Sequence, residues 1–154
     1  MAAITLKGNT IHTGGELPSV GSSAPDFKLV DGELGDKGLA DFAGKTLVLC
    51  LVPSLDTGVC ATSTRVFNER ASAMDNVQVL VVSADLPFAQ GRFCETEGIR
   101  NVACLSSFRS PAFGDAYGVT IVDGPLAGLL SREVLVINSA GTVVHAEQVP
   151  EIVQ

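Results

Sequence analysis

The apolar residues of this chain fall into short separated runs with two alternating periods. Thr46-Leu47-Val48-Leu49-Cys50-Leu51-Val52 is continuously apolar and partly β-branched. Such a run predicts a strand covered on both faces, in a mixed or parallel sheet. Pro53 ends it. After the turn residues Ser54, Asp56 and Gly58, the apolar positions Val59, Val66, Phe67 and Met74 recur at near-helical spacing, with Arg65, Asn68, Glu69 and Arg70 between them. Residues 77–83 repeat the buried-strand pattern. Residues 86–97 then offer a second helical stretch, opened by Pro87 in its first turn. The order is therefore βαβα. Residues 102–105 predict a short strand and 111–117 a short helix. Residues 133–137 and 143–148 predict an antiparallel hairpin turning at Ala140-Gly141.

Ahead of this unit, Ile4 to Leu6 and Thr10 to His12 flank Gly8-Asn9 and read as a small β-hairpin. Between Gly14 and Gly38 the chain is rich in Gly, Pro and Asp, with one apolar segment at 27–30, which predicts irregular chain with brief strands. A central βαβ unit with a closing hairpin is the thioredoxin-like α/β plan, a mixed sheet flanked by helices, here carrying an N-terminal β-hairpin extension. With 154 residues and 46% hydrophobic content, the chain is expected to form a single domain over 1–154. It ends at Val149-Pro150-Glu151-Ile152-Val153-Gln154 without a helical pattern, so a C-terminal helix is expected to be absent although an open sheet needs cover on both faces.

Charge narrows the class. A formal net charge of -7 and a pI of about 4.6 argue against nucleic acid or an anionic membrane surface as partner. The longest strongly apolar run, 47–52, is far shorter than the roughly 20 residues that span a bilayer. The first residues lack the basic opening and long apolar stretch of a secretory signal, so the cytoplasm is the expected compartment. Cys50, Cys60, Cys94 and Cys104 include no Cys-X-X-Cys pair, and His12 and His145 are far from them in sequence. This spacing disfavours zinc and a secreted disulfide framework alike, and leaves a catalytic cysteine pair as the favoured use.

Pro53-Ser54-Leu55-Asp56-Thr57-Gly58-Val59-Cys60 sets a cysteine in a turn that leaves a buried strand and opens a helix. A cysteine in a first helical turn meets free N–H groups and the positive end of the helix dipole, which favour the nucleophilic thiolate. The competing reading is a small buried residue, the usual use of a lone cysteine. Pro-x-x-x-Thr-x-x-Cys resembles the peroxiredoxin active-site pattern, matched by Pro53, Thr57 and Cys60. The longer string, with Arg65, Phe67 and Asn68 behind it, is similar to the thiol peroxidase branch of atypical two-cysteine enzymes. Two further blocks extend the resemblance. They are Ser83-Ala84-Asp85-Leu86-Pro87-Phe88-Ala89-Gln90 with Arg92-Phe93-Cys94, and Leu129-Leu130-Ser131-Arg132-Glu133-Val134.

The resemblance implies a peroxidase that reduces hydrogen peroxide and alkyl hydroperoxides. It further implies a Cys60 sulfenic acid, Cys94 as resolving thiol, an internal Cys60–Cys94 disulfide reduced by thioredoxin, and a homodimer. It implies neither metal nor organic cofactor. Thr57 can offer a hydroxyl to the thiolate and the attacked oxygen, or merely form the turn or cap the helix. Arg132 can stabilise the thiolate and the charge built up in the transition state, or be a solvated strand-edge residue. Pro53 can shape and shield the pocket, or only end the strand. Cys94 can condense with the sulfenic acid, or be a buried helix cysteine. Cys50 and Cys104, in or beside strands, read as core. A thiol-disulfide oxidoreductase and a redox-controlled binding protein are the alternatives, the first weakened by the lack of a second cysteine near Cys60.

Overall fold

The computed structural model describes residues 3–55, 76–99 and 102–149. The helix expected over 59–74, together with Thr57 and Cys60, lies outside the described residues, as does the end of the chain from 150. Among the described residues, seven strands make one mixed sheet: β3 (Leu29–Val30), β4 (Asp36–Lys37), β5 (Thr46–Leu51), β6 (Val77–Ser83), β7 (Val102–Ser106), β8 (Glu133–Ile137) and β9 (Val143–Gln148). Their spatial order is β4-β3-β7-β6-β5-β8-β9. β5, β6 and β7 run parallel, and β8 joins β5 antiparallel from Leu47↔Ile137 to Leu51↔Glu133. β5 and β6 thus have strand neighbours on both sides, in keeping with their unbroken apolar runs.

Side-chain alternation along these strands builds two cores on opposite faces. Leu47, Leu49 and Leu51 of β5 and Leu80 and Val82 of β6 join Phe113 and Tyr117 from helix α2 (Pro111–Tyr117). On the other face Cys50, Val52, Val79 and Val81 gather with Ile99 and Val102, and Phe93 and Cys94 of helix α1 (Pro87–Glu97) pack against them. Thioredoxin-like layering, with one described helix on each face, follows from two strands that are apolar on both sides. At such fully buried positions a Leu→Ala change costs about 2–5 kcal/mol.

The N-terminal hairpin is present as β1 (Ala3–Leu6) and β2 (Asn9–His12), with a small core of Ile4, Ile11 and Ile121. Its turn is one residue earlier than the sequence suggests. Leu6 pairs with Asn9, so Lys7 and Gly8 form the two-residue loop, with φ of 49° and 82°. Positive φ at both positions is what a tight hairpin turn with the right-handed strand twist requires. The closing hairpin β8–β9 turns as anticipated. Asn138 holds it by accepting the Ala140 and Thr142 N–H groups on its side-chain oxygen, while Gly141 takes φ of 84°. The short strand β4 and a 3-10 turn at Leu39–Phe42 had no clear periodic signal.

Candidate active site

The parallel strands β5, β6 and β7 all end at the same edge of the sheet, where open α/β sheets bind their ligands. Pro53, Asp85, Ser106 and Ser107 follow or close those strands. Arg132 directly precedes antiparallel β8 and so lies at this edge too, one step beyond the Leu51↔Glu133 pair and therefore against Val52. Pro53 and Arg132 are brought together at one edge although 79 residues separate them in sequence (132 - 53). Arg132 is 7% exposed, which rules out the solvated strand-edge reading. Its backbone carbonyl accepts the Val149 N–H at 2.9 Å, anchoring it to the end of β9.

Asp85 organises this edge. Its carboxylate accepts hydrogen bonds from Ser54 Oγ at 2.8 Å, from the Leu55 backbone N–H at 2.8 Å and from Ser83 Oγ at 2.7 Å. Its own carbonyl accepts the Ser106 hydroxyl at 2.6 Å. Hydrogen bonds to an ionised acceptor are about twice as strong as neutral ones, so the turn from Pro53 to Leu55 is held where β6 ends. That turn leads into the segment carrying Thr57 and Cys60. Gln90, in α1, extends the network: its Nε2 donates to Ser83 Oγ at 3.0 Å and to the Leu105 carbonyl at 2.9 Å. The helix bearing Cys94 and the loop leading to Cys60 therefore share one chain of hydrogen bonds, Gln90 to Ser83 to Asp85 to Ser54 and Leu55.

Cys94 sits in the last turn of α1. The helix ends in a Schellman motif: Gly98 has φ of 67°, its N–H points to the Glu95 carbonyl, and the Ile99 N–H bonds the Cys94 carbonyl at 2.9 Å. Ile99 is buried in the cluster against which Cys94 packs, the hydrophobic contact that accompanies such an end. The rest of α1 is held lightly. Only Pro87 and Gln90 are buried, no side chain caps its start, and Gly91 occupies its middle, where glycine costs about 0.5–1 kcal/mol relative to alanine.

The sulfur of Cys94 lies 3.1 Å from that of Cys104 on β7. This contact holds the Cys94 thiol below its ordinary range and pushes Cys104 above its own. Burial and the nearby Asp85 charge raise Cys104 further. Cys94 is thus the more acidic thiol of the pair. Cys50, in contrast, is a buried core thiol pushed up to about 12 by burial, in accord with its reading as packing.

Beside Arg132 lies a second polar cluster. Glu133, 1% exposed, accepts Ser131 Oγ–H and, at 2.9 Å, Gln148 Nε2–H on one oxygen, and burial lifts its carboxyl to about 7. Asp85, Gln90, Glu133 and the partnership of Cys104 were not singled out from the sequence by any role. Asp85 and Gln90 stand within a block that resembles the thiol peroxidases, but spacing alone carries no sign of what they touch.

The fold and this edge define a thioredoxin-like protein in which a strand-ending proline and a buried arginine meet at one sheet edge, with an acidified thiol on the helix that packs beside it. Residues 19–154 match the Redoxin family. The chain is 56% identical over 154 residues to the thiol peroxidase of Mycobacterium tuberculosis, covering all of this chain and 92% of that protein. It is 50% identical to the thiol peroxidase of Leptospira interrogans, covering 99% of this chain and 90% of that protein. The crystal structure of a peroxiredoxin-like protein from Aquifex aeolicus superposes with a TM-score of 0.94 at 42% identity, over all of this chain and 90% of that one. The chain belongs to the Redoxin family and is a thiol peroxidase of the peroxiredoxin type.

Proposed function

We propose that the enzyme reduces hydrogen peroxide and alkyl hydroperoxides with Cys60 as the attacking thiolate and Cys94 as the resolving one. Cys60 displaces one peroxide oxygen as alkoxide or hydroxide, which takes a proton, and keeps the other as a sulfenic acid. Cys94 then attacks that sulfur, hydroxide leaves, and a Cys60–Cys94 disulfide closes. Thr57 donates its hydroxyl towards the reacting oxygens, Arg132 supplies fixed positive charge as the O–O bond breaks, and Pro53 shields the thiolate. Thioredoxin returns both thiols by disulfide exchange.

The observation that carries this reading is the position of Cys94, a thiol held below its ordinary range by Cys104, on a helix tied through Gln90, Ser83 and Asp85 to the loop that leads into the Cys60 segment. A thiolate is the form that attacks sulfenic sulfur. The lightly held α1 suits a step in which the helix must shift before the two sulfurs can bond. We further assign the whole of 1–154 to a single domain acting as a homodimer in the cytoplasm. Exposed Leu34, Leu86, Phe88 and Phe108 supply apolar surface for a partner chain. Among the described residues no helix is long and apolar enough to cross a membrane.

Steady-state peroxide consumption coupled to thioredoxin oxidation tests the assignment. Cys60→Ser should abolish it, and Cys94→Ser should stop thioredoxin-linked turnover while leaving a dimedone-reactive sulfenic acid on Cys60. Full turnover in either variant would refute the corresponding role.

A further inference from the structure

Cys104 is too close to Cys94 to be a bystander. In the reduced protein the two sulfurs are 3.1 Å apart, and a disulfide needs about 2.05 Å, so they need close by only about 1 Å. Both belong to the apolar cluster between α1 and the sheet, and the Schellman end of the helix fixes the backbone from which Cys94 projects. We propose that Cys104 is a third redox thiol: it takes the disulfide over from Cys60–Cys94, leaving a Cys94–Cys104 bond between α1 and β7 and returning Cys60 as a thiolate. This inference rests on the roles given above to Cys60 and Cys94.

The step is a thiol-disulfide exchange and needs no further oxidant, since the peroxide has already supplied both oxidising equivalents. Cys104 loses its proton to solvent and attacks Cys94 Sγ. The Cys60–Cys94 bond breaks, its electron pair leaves on Cys60, and the Cys94–Cys104 bond forms. Three features set the direction. The first cause of the raised Cys104 thiol is its hydrogen bond with Cys94, and that bond is lost once Cys94 is in a disulfide with Cys60. Cys60, as the attacking thiol of the proposed reaction, is expected to be the more acidic thiol and hence the better leaving group. Finally, a Cys94–Cys104 bond joins sulfurs already in contact, whereas α1 must give up that contact if it shifts to reach Cys60. When α1 returns to its place on β7, Cys104 again meets the sulfur of Cys94.

Trypsin separates the participants, because Arg92, Arg100 and Arg109 place Cys94 in peptide 93–100 and Cys104 in 101–109, while Cys60 lies in 46–65. Full-length reduced protein is treated with one equivalent of hydrogen peroxide, quenched at intervals with N-ethylmaleimide and mapped without reduction. The 46–65/93–100 cross-link should appear first and decay into 93–100/101–109, with Cys60 alkylated in the final product. Cys104→Ser should halt at the first cross-link. A wild-type end product that remains 46–65/93–100 with Cys104 alkylated would overturn the relay while leaving the peroxidase reading standing. Formation of 93–100/101–109 at the wild-type rate in Cys60→Ser would also overturn it, because oxidation would then bypass Cys60. If Cys60→Ser consumes peroxide like wild type, the underlying assignment of Cys60 fails, and the relay with it.

Discussion

The carboxylate of Asp85 is the point at which the loop leading to Cys60 can be loosened without touching a reacting group. Asp85→Ala removes three hydrogen bonds to one carboxylate, those from Ser54 Oγ, the Leu55 N–H and Ser83 Oγ. The two serine hydroxyls can rotate towards other acceptors, so most of the cost falls on the Leu55 N–H, which belongs to a residue only 2% exposed. An unsatisfied buried donor costs about 1–3 kcal/mol, and a hydrogen bond to a charged group contributes about 1.5–3 kcal/mol. With partial relaxation of the loop, a loss of about 3 kcal/mol is expected, or roughly 6–12 °C in Tm for a chain of this size. The rate effect should exceed what instability explains. A shift of the loop by about 1 Å can cost on the order of a hundredfold in a reaction that depends on alignment. The assay is single-turnover oxidation of Cys60 by peroxide at a temperature where the variant is fully folded, alongside thermal melts. Asp85→Asn, which keeps one acceptor oxygen, should fall between wild type and alanine in both. A variant with the wild-type melting temperature and oxidation rate would refute the claim that Asp85 holds the loop.

Other expectations follow from individual groups. Cys50, pushed up to about 12 by burial, should resist alkylation in the native protein at pH 8. Cys50→Ala should leave peroxide turnover intact at a stability cost of about 1–2 kcal/mol; rapid labelling of folded protein, read by peptide mass, would contradict this. Glu133 has its carboxyl raised from 4.5 to about 7, so between those values the folded protein keeps a proton that the unfolded chain has released. Stability should therefore fall as pH rises through that window, by up to about 1.4 kcal/mol per pH unit. Glu133→Gln should flatten the slope in urea unfolding, and parallel slopes in the two proteins would count against the assignment. Cys60 should be alkylated at a rate that follows a thiol well below the free value of about 8.5, and Arg132→Ala should move that profile towards it. An ordinary thiol profile unaffected by Arg132→Ala would place the thiolate site elsewhere.

The secondary structure was largely legible in the sequence because its strongest signals are local. Residues 47–51 and 79–82 are apolar without a break, and only a strand covered on both faces has use for such a run in so short a segment. Pro87 and Pro111 mark the starts of α1 and α2 because a first-turn proline lacks only an N–H that the helix would leave unpaired. The motif from Pro53 to Cys60 and the blocks around Cys94 and Arg132 pointed to peroxide chemistry before any contact was known. Contacts between elements were decided by tertiary structure. Asp85 meets Ser54 and Leu55 because β5 and β6 lie side by side and end at one edge. A loop carboxylate thirty residues downstream carries no mark of that in the sequence. Cys104 reads as a strand residue by pattern, yet its sulfur faces Cys94 because α1 packs on β7. The thiols at 94 and 104 shift in opposite directions because they share one hydrogen bond, and Glu133 is lifted by burial at the end of β8. Protonation follows surroundings, and surroundings exist only once the chain has packed.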